Sequence, residues 1–286
     1  MPAATTHVIF AEDVRKRLDA ETAAGITNLH MFWLGSQGPD FLFFSKGSFL
    51  PGTIKPFGDL LHTEKPQEQL MFLKQEAEKD PDLYSFYLGY LCHYALDSCV
   101  HPLVFALARH RQNTEGVKEG VIHVTMEADI DVWMLHQRAR DIRDYDVYKY
   151  LRIDRACALK LGAMFEKMFR EVYGISLQAK KIASAAREIS LDTWILSPGR
   201  IKYRLFYKAE TLTGLGHGFT GMMLTGKTDT RILNLEHHSY PLSWDESRSI
   251  RASFPQLYGQ AFTKALKLLA GQSEEDFTLN FAGKKM

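Results

Sequence analysis

The sequence lacks a disulfide framework and an excess of charge of either sign. Its three cysteines, Cys92, Cys99 and Cys157, do not have the spacing of a disulfide scaffold. Two of them stand in an apolar stretch, which favours buried, reduced thiols. The 35 basic and 34 acidic residues give a formal net charge of +1. Because no global field draws this chain to nucleic acid or to anionic lipid, its partner has to be selected by a local site.

The N-terminus also lacks the features of a targeting segment. Residues MPAATTHVIFAEDVRKRLD contain neither the basic segment nor the continuous apolar core of a signal peptide. With the reduced cysteines, this pattern predicts a cytoplasmic protein. Residues 83–108 are rich in Leu, Tyr, Phe and Ala, but they include ionisable residues and are followed by Arg109. We therefore expect no transmembrane segment.

Strand-like alternation is not sustained anywhere, internal repeats are missing, and the periodicity is mostly helical. The 286 residues, 45% of them hydrophobic, can form one large core. We predict an all-α fold, a single multi-helix domain over residues 1–286. A Gly- and Pro-rich segment at 35–66 is predicted as loops. The predicted helices run from a cap at Thr5 or Thr6 to about 22, from the Asp80 and Pro81 pair through the long apolar stretch, and over about 120–140, 154–173, 177–190, 200–213 and 245–270.

The stretch YLCHYALDSCVHPL, residues 90–103, places three ionisable groups inside an otherwise buried helix. His93, Asp97 and His101 follow one another at intervals of four, so they lie on one helical face about a turn apart. A single histidine there is more often a hydrogen-bonded core residue than a ligand. A buried carboxylate between two imidazoles is harder to satisfy, and one metal ion would serve all three groups.

Three further segments supply ligand types. VIHVTMEADID places His123 and Glu127 on one helical face, although alone they would be read as part of a solvated acidic face with Asp131 one turn further. In GSQGPDFLFF, Asp40 follows a proline, and we expect an extended backbone with the carboxylate pointing into a cleft. His62, in GDLLHTEKP, has no local partner that explains it.

In sequence order, these residues resemble the ligands of the zinc-dependent phospholipase C family, a distant relative of the single-strand-specific zinc nucleases. The specific part is H-x(3)-D-x(3)-H with proline after the last histidine, followed some twenty residues on by H-x(3)-E, and the resemblance covers about residues 7–131. It implies an all-helical domain with two to three zinc ions. The implied ligands are Asp40, His62, His93 and Asp97 for one ion, His101, His123 and Glu127 for a second, and His7, the bridging Asp97 and the chain's N-terminal amine for a third.

The third ion raises the question of the N-terminus, because this chain begins with Met1 and Pro2. Initiator methionine is commonly removed before a small residue such as proline. The secondary amine of Pro2 would then have a lone pair available, and zinc binding would favour its deprotonated form. We therefore hypothesise that the terminal amine of Pro2 shares a zinc ion with His7 and Asp97.

The resemblance implies a hydrolase of phosphate esters. Clustered zinc ions bind phosphodiester oxygens and generate a metal-bound hydroxide that attacks phosphorus, with Asp40 as a ligand or as proton acceptor. The favoured function is a phospholipase C-like phosphodiesterase acting on a phospholipid headgroup ester. The aromatic cluster at 41–44 could contact a membrane surface transiently, although such a cluster is more often core.

Two alternatives stay open. The first is a nuclease or small-molecule phosphodiesterase, for which a basic groove would be expected; the balanced charge does not favour nucleic acid as a partner. The second is a non-catalytic, zinc-stabilised binding module. The full ligand set argues against that module, because folding alone does not require three sites that each leave a coordination position open.

Overall fold

The computed structural model describes residues 4–48, 52–214, 217–226, 228–271 and 273–286. They form a helical protein with one two-stranded antiparallel sheet, so the predicted all-α class is confirmed. The α-helices are α1 (Ala4–Arg15), α2 (Ala20–Ala24), α3 (Leu29–Gly35), α4 (Lys55–Thr63), α5 (Pro66–Ala77), α6 (Pro81–Glu115), α7 (Glu119–His136), α8 (Val147–Tyr150), α9 (Arg155–Tyr173), α10 (Ala179–Leu196), α11 (Arg200–Thr213), α12 (Gly218–Gly221) and α13 (Phe254–Ala270). Three 3-10 helices cover Gly38–Ser48, Thr230–Leu233 and Glu274–Asp276, and the strands are β1 (Tyr240–Leu242) and β2 (Asp245–Ile250).

Helix α6 is the central element of the core. It begins where the sequence predicted, with the Asp80 carboxylate accepting from the backbone N–H groups of Asp82 and Leu83. By length and composition alone it could cross a membrane, and it is the one described helix of which this is true. However, 83% of its most apolar window is buried inside the protein, as expected for the core helix of a globular fold.

Helix α3 crosses α6 at very short distance, and this crossing brings the following 3-10 helix onto the polar face of α6. A Cβ atom added to Gly89 would lie 2.0 Å from the carbonyl oxygen of Phe32, and one added to Gly35 would lie 2.0 Å from that of Phe86. Only glycine permits such an approach of two helix backbones. The position of Gly38–Ser48 over the site therefore depends on this pair of glycines.

Several predicted boundaries were wrong at the N-terminal end. The first helix does not continue to about 22, because the chain turns after Arg15 and Asp19 caps the separate helix α2 by accepting from the N–H of Thr22. Thr5 and Thr6 are not caps but lie inside α1. The segment at 35–66, predicted as loops, is largely the 3-10 helix Gly38–Ser48 and helix α4.

The predicted helix over 245–270 was also wrong in its first part. Residues Asp245–Ile250 pair with β1 as the second strand of a hairpin. The helix begins only at Phe254, where Ser253 and Gln256 form a capping box. In contrast, the predictions over 154–173 and 200–213 agree with α9 and α11, while α10 extends beyond 190 to Leu196.

The aromatic cluster beside Asp40 belongs to the core. Phe41, Leu42, Phe43 and Phe44 are all buried. Phe41 lies edge-on to the rings of Phe86 and Phe165. Because these side chains are covered by protein, they are not available for the membrane contact considered from the sequence.

Candidate metal centre

The polar stripe of α6 forms the floor of the site. His93, Asp97 and His101 lie on one face of the helix, as their spacing predicted, and all three are buried. His93 Nε2 lies 3.0 Å from Asp97 Oδ2, and His101 Nδ1 lies 3.4 Å from the same oxygen. One carboxylate is thus held between two imidazoles of its own helix.

Two other elements bring histidines to the same carboxylate. From α1, His7 Nε2 approaches Asp97 Oδ1 to 3.3 Å. From α4, His62 Nε2 lies 3.8 Å from Asp97 Oδ2 and 3.1 Å from Asp40 Oδ1. Asp97 therefore has an imidazole nitrogen within 4 Å from four different histidines, which is the geometry expected of a bridging group.

A second group of candidate ligands adjoins this one through His101. His123 Nε2 lies 3.1 Å from Glu127 Oε1 along α7, and His101 Nε2 lies 3.5 Å from the same oxygen. Glu127 is buried, so the interpretation of α7 as a solvated acidic face was wrong. The structure brings together all eight candidate ligands predicted from the sequence: His7, Asp40, His62, His93, Asp97, His101, His123 and Glu127.

Charge interactions dominate the titration of this cluster. Burial alone would raise the pKa of Asp97, but the charges of His101, His93 and His7 hold that pKa well below its usual value. Burial lowers the pKa of His101, but Asp97 and Glu127 outweigh it and raise the pKa to about 9. The site is therefore built around a carboxylate that stays ionised and needs cationic partners.

Backbone carbonyls fix the orientation of three of the imidazole rings. The Nδ1 atoms of His62, His93 and His101 lie 2.7, 3.2 and 3.0 Å from the carbonyl oxygens of Gly58, Ser36 and Phe281. Since a carbonyl oxygen can only accept, each Nδ1 carries the hydrogen, and in the neutral form of each ring Nε2 keeps a lone pair directed at the carboxylates. Metal-binding histidines in proteins are typically held in this way.

This tautomer assignment leaves electron pairs facing one another. His93 Nε2 and Asp97 Oδ2 are both buried without a hydrogen-bond partner, although they are 3.0 Å apart, and His7 Nδ1 is likewise without one. Two acceptors at that distance need a proton on Nε2 or a metal ion beside them, and a metal ion would serve several of these atoms at once. The donor atoms fall into three groups, each within 4.8 Å of one another, and the set of imidazoles and carboxylates suits zinc.

The structure also contains space within the cluster. A cavity of about 20 Å³ is lined by His7, Asp97, His101 and Glu127, together with apolar neighbours. That is enough for a single water-sized particle. His62 and His123 are the only members of the eight that are not fully buried, so access from solvent is on their side of the cluster. On donor chemistry, orphaned atoms and space, these residues fit zinc ions.

Asp131, one turn beyond Glu127, has a different task. It is buried, and it accepts hydrogen bonds from the backbone N–H groups of Thr5 and Thr6 and from the Thr6 hydroxyl, at 3.2, 2.8 and 2.6 Å. It therefore supplies the capping acceptors of α1 from another helix and holds the turn that carries His7. Burial raises the pKa of Asp131 to about 7 despite these bonds.

The backbone around Asp40 differs from the prediction. Asp40 is not extended but lies in the first turn of the 3-10 helix, where its N–H donates to the carbonyl of Gln37. The preceding Gly38 has φ +53°, and a Cβ there would lie 2.0 Å from His93 Cδ2. The second glycine of GSQGPD is therefore a sequence signal for close packing against a ligand ring.

Sequence reasoning missed the contribution of the C-terminal residues. The Phe281 N–H donates to the carbonyl of His62 at 3.1 Å, its carbonyl oxygen accepts from His101, and its ring packs against those of His62 and His93. The Tyr94 hydroxyl holds the same segment by donating to the carbonyl of Leu279. A backbone carbonyl has no sequence signature, so only the buried aromatic side chain hinted at this role.

The hypothesis on the N-terminal amine concerns Pro2, which lies outside the described residues. Its proposed partners, His7 and Asp97, are in contact as stated above.

Comparison with known proteins gives one finding. The model of a family described as zinc dependent phospholipase C matches residues 6–171, which include all eight candidate ligands but not Phe281. No curated protein and no solved structure matches the chain.

Proposed function

The chain belongs to the zinc-dependent phospholipase C family, and we propose that it is a zinc-dependent phosphodiesterase whose substrate is the headgroup ester of a phospholipid. The observation that supports this most is the buried Asp97, with four imidazoles around it and orphaned acceptor atoms beside it. A cluster of that kind is costly to bury unless cations occupy it.

We propose that the eight residues hold two to three zinc ions in the division that the family implies. Asp40, His62, His93 and Asp97 would bind one ion, and His101, His123 and Glu127 a second. His7 and Asp97 would bind a third, with the amine of Pro2. When bound, such ions activate water, neutralise phosphate charge and stabilise the leaving oxygen.

The surroundings of Asp40 favour a ligand over a general base. Burial alone would raise the pKa of Asp40, but a hydrogen bond from the protonated form of His62 and the positive charges of nearby imidazoles hold it below its usual value. A group with so low a pKa accepts a proton poorly at neutral pH. We therefore assign Asp40 to binding a metal ion together with His62, and place substrate entry on the partly exposed side at His62 and His123.

The test combines metal analysis with a panel of chromogenic esters. Protein purified without chelator should contain two to three zinc ions per chain. It should hydrolyse a phosphocholine ester faster than a nucleotide or simple diaryl phosphodiester. Chelation should abolish the activity and added zinc should restore it, which serves as the control for irreversible damage.

Three results would contradict this proposal. Fewer than one zinc ion in fully folded protein would exclude the proposed metal centre. Activity that survives chelation would exclude a zinc mechanism. A preference for the nucleotide ester would replace the phospholipid with the nuclease or small-molecule alternative.

A further inference from the structure

Helix α11 exposes an apolar stripe to solvent. The exposed fractions of Ile201, Leu205 and Leu212 are 77%, 64% and 77%. At about 100° per residue, these three positions fall within an arc of about 40° on an ideal helix. The aliphatic side chains therefore lie along one line of the helix and are not scattered over its surface.

The opposite face of α11 is anchored to the protein. The Glu210 carboxylate is buried and accepts from the N–H groups of Phe219 and Thr220, at 2.7 and 3.1 Å, and from the Thr220 hydroxyl at 2.5 Å. The ring of Phe206 lies edge-on to that of Phe219, with centroids 4.7 Å apart. With an anionic group and an aromatic ring fixed inward, the aliphatic strip is held facing outward.

Basic residues border the strip. Arg200, Arg204 and Lys208 are exposed, and within the part of the chain that the structure describes none of them has an ion-pair partner. Glu210 is the only acidic residue of α11, and it is turned inward. The outward face thus combines aliphatic side chains with uncompensated positive charge, although the chain as a whole is nearly neutral.

The end of α10 extends this surface. Trp194 and Leu191 are 51% and 55% exposed. The ammonium group of Lys202 from α11 lies 5.7 Å from the centre of the Trp194 ring and donates to the Trp194 carbonyl at 3.2 Å. Tryptophan, aliphatic and basic side chains on one face are the composition of a helix that lies in a lipid–water interface.

An apolar cavity connects this surface with the helix that bears the second ligand group. The cavity has a volume of about 800 Å³ and is lined by Phe206 and Ala209 of α11 and by Val121 and Val124 of α7. Val124 directly follows the candidate ligand His123. A lipid surface seated on α11 would therefore lie near an apolar space that is also lined by α7, the helix that bears His123 and Glu127.

We propose that the surface formed by α11, Leu191 and Trp194 docks the protein onto an anionic lipid bilayer. The choice of occupant rests on charge complementarity, because a second copy of this chain on the same face would bring the two sets of Arg200, Arg204 and Lys208 together. Docking deepens the proposed phospholipase function by stating how the enzyme reaches its substrate. Binding itself does not depend on that function.

The experiment is co-sedimentation of the full chain with vesicles of phosphatidylcholine, alone or mixed with phosphatidylglycerol. The wild-type protein should bind the mixed vesicles, and added salt should weaken the binding. The triple variant Ile201→Ser/Leu205→Ser/Leu212→Ser should bind at least about tenfold more weakly, because the aliphatic contact is lost. The variant Arg200→Gln/Arg204→Gln/Lys208→Gln should lose the preference for anionic vesicles. Leu235→Ser, at a leucine that is 53% exposed on another segment, is the matched control and should bind as wild type.

The outcomes separate docking from catalysis. Vesicle binding is measured on both zinc-loaded and chelated protein. Zinc-loaded protein that binds vesicles but hydrolyses no ester would refute the hydrolase and leave docking standing. The triple variant should hydrolyse a soluble ester at the wild-type rate if that activity exists. Wild-type protein that binds neither vesicle, or a triple variant that binds like wild type, would overturn the proposal. A wild-type dimer in sedimentation velocity that the triple variant abolishes would assign this face to a second copy.

Discussion

At the scale of single residues, the spacing of the candidate ligands was predictable from the sequence. The backbone groups that orient their imidazole rings were not. His93, Asp97 and His101 share a face because a helix repeats every 3.6 residues, and this follows from the sequence alone. The Gly58 carbonyl that orients His62 lies one turn earlier in the same helix, α4, but the carbonyls of Ser36 and Phe281 that orient His93 and His101 come from two segments distant in sequence. Because every residue has a backbone carbonyl, the sequence does not show which one will contact a given imidazole ring. Tertiary packing decides that.

The first prediction concerns the carboxylate that the four imidazoles share. Replacing Asp97 with Asn keeps the size of the side chain and lets its amide N–H groups donate to the free imidazole nitrogens. However, it removes the negative charge that would bind more than one ion. We expect the variant to fold, to lose at least one zinc ion per chain and to lose at least about 100-fold in activity, since even supporting groups of a metal site are worth 10–100-fold.

The control for this change is Asp131→Asn, which also replaces a buried aspartate, in this case one bonded to Thr5 and Thr6. It should reduce the free energy of unfolding by about 1–3 kcal/mol, because an acceptor of several hydrogen bonds is weakened. Its zinc content, measured in folded protein, should stay close to wild type. Equal zinc loss in the two variants would show that Asp131 contributes to metal binding, contrary to its placement outside the ligand set.

At the scale of elements, helices with strong local signals were predicted and elements with mixed signals were not. Asp80 and Pro81 fix the start of α6 because a cap and a first-turn proline act within a few residues. The 3-10 helix Gly38–Ser48 contains glycine and proline, which indicate a loop. It also contains four consecutive apolar residues, which indicate a buried element. Its conformation depends on packing against α6 and α10, which lie far away in sequence.

The second prediction compares two buried phenylalanines of the C-terminal segment. Phe281 packs against His62 and His93, whereas the ring contact of Phe277 is with Tyr94. Changing either residue to Leu should lower stability by a similar amount, about 1 kcal/mol or slightly more, because both sites are fully buried. Only Phe281→Leu should weaken zinc binding, by about tenfold or more, since it loosens the rings that the metal needs.

The measurement is a zinc titration against a competing chelator at a temperature where both variants are folded by circular dichroism. Thermal unfolding gives the stability change separately. If both variants weaken zinc binding equally, the effect of Phe281 would be general destabilisation. If neither does so, the C-terminal segment has no part in orienting the ligands.

At the scale of the whole molecule, the candidate ligands come from one part of the chain and their cover comes from the rest. α1, the 3-10 helix Gly38–Ser48, α4, α6 and α7 contribute every candidate ligand. Helices α9 to α13 contribute none, yet α13 packs along α6 and the segment after it closes over His62 and His101. Sequence patterns predicted the first group because ligand residues are chemically distinctive. They could not predict which later segments pack over the site, because that packing consists of ordinary apolar contacts between distant segments.

This division leads to the third prediction, which concerns removal of the metal. A ligand that binds only the folded state stabilises it by about 4 kcal/mol when its concentration is a thousand times its dissociation constant. Chelation should therefore lower the melting temperature, and in native-state hydrogen exchange it should reduce protection first in α1 and α4, which deliver His7 and His62 to the shared carboxylate. Without a cation, the facing acceptor atoms of these elements and of Asp97 repel one another, so local opening becomes easier.

Helix α9 (Arg155–Tyr173) supplies no candidate ligand and is the internal reference. Equal loss of protection in α1 and α9 would show that zinc binding is coupled to folding of the entire chain, and unchanged protection in α1 would show that His7 contributes no bond to a metal ion.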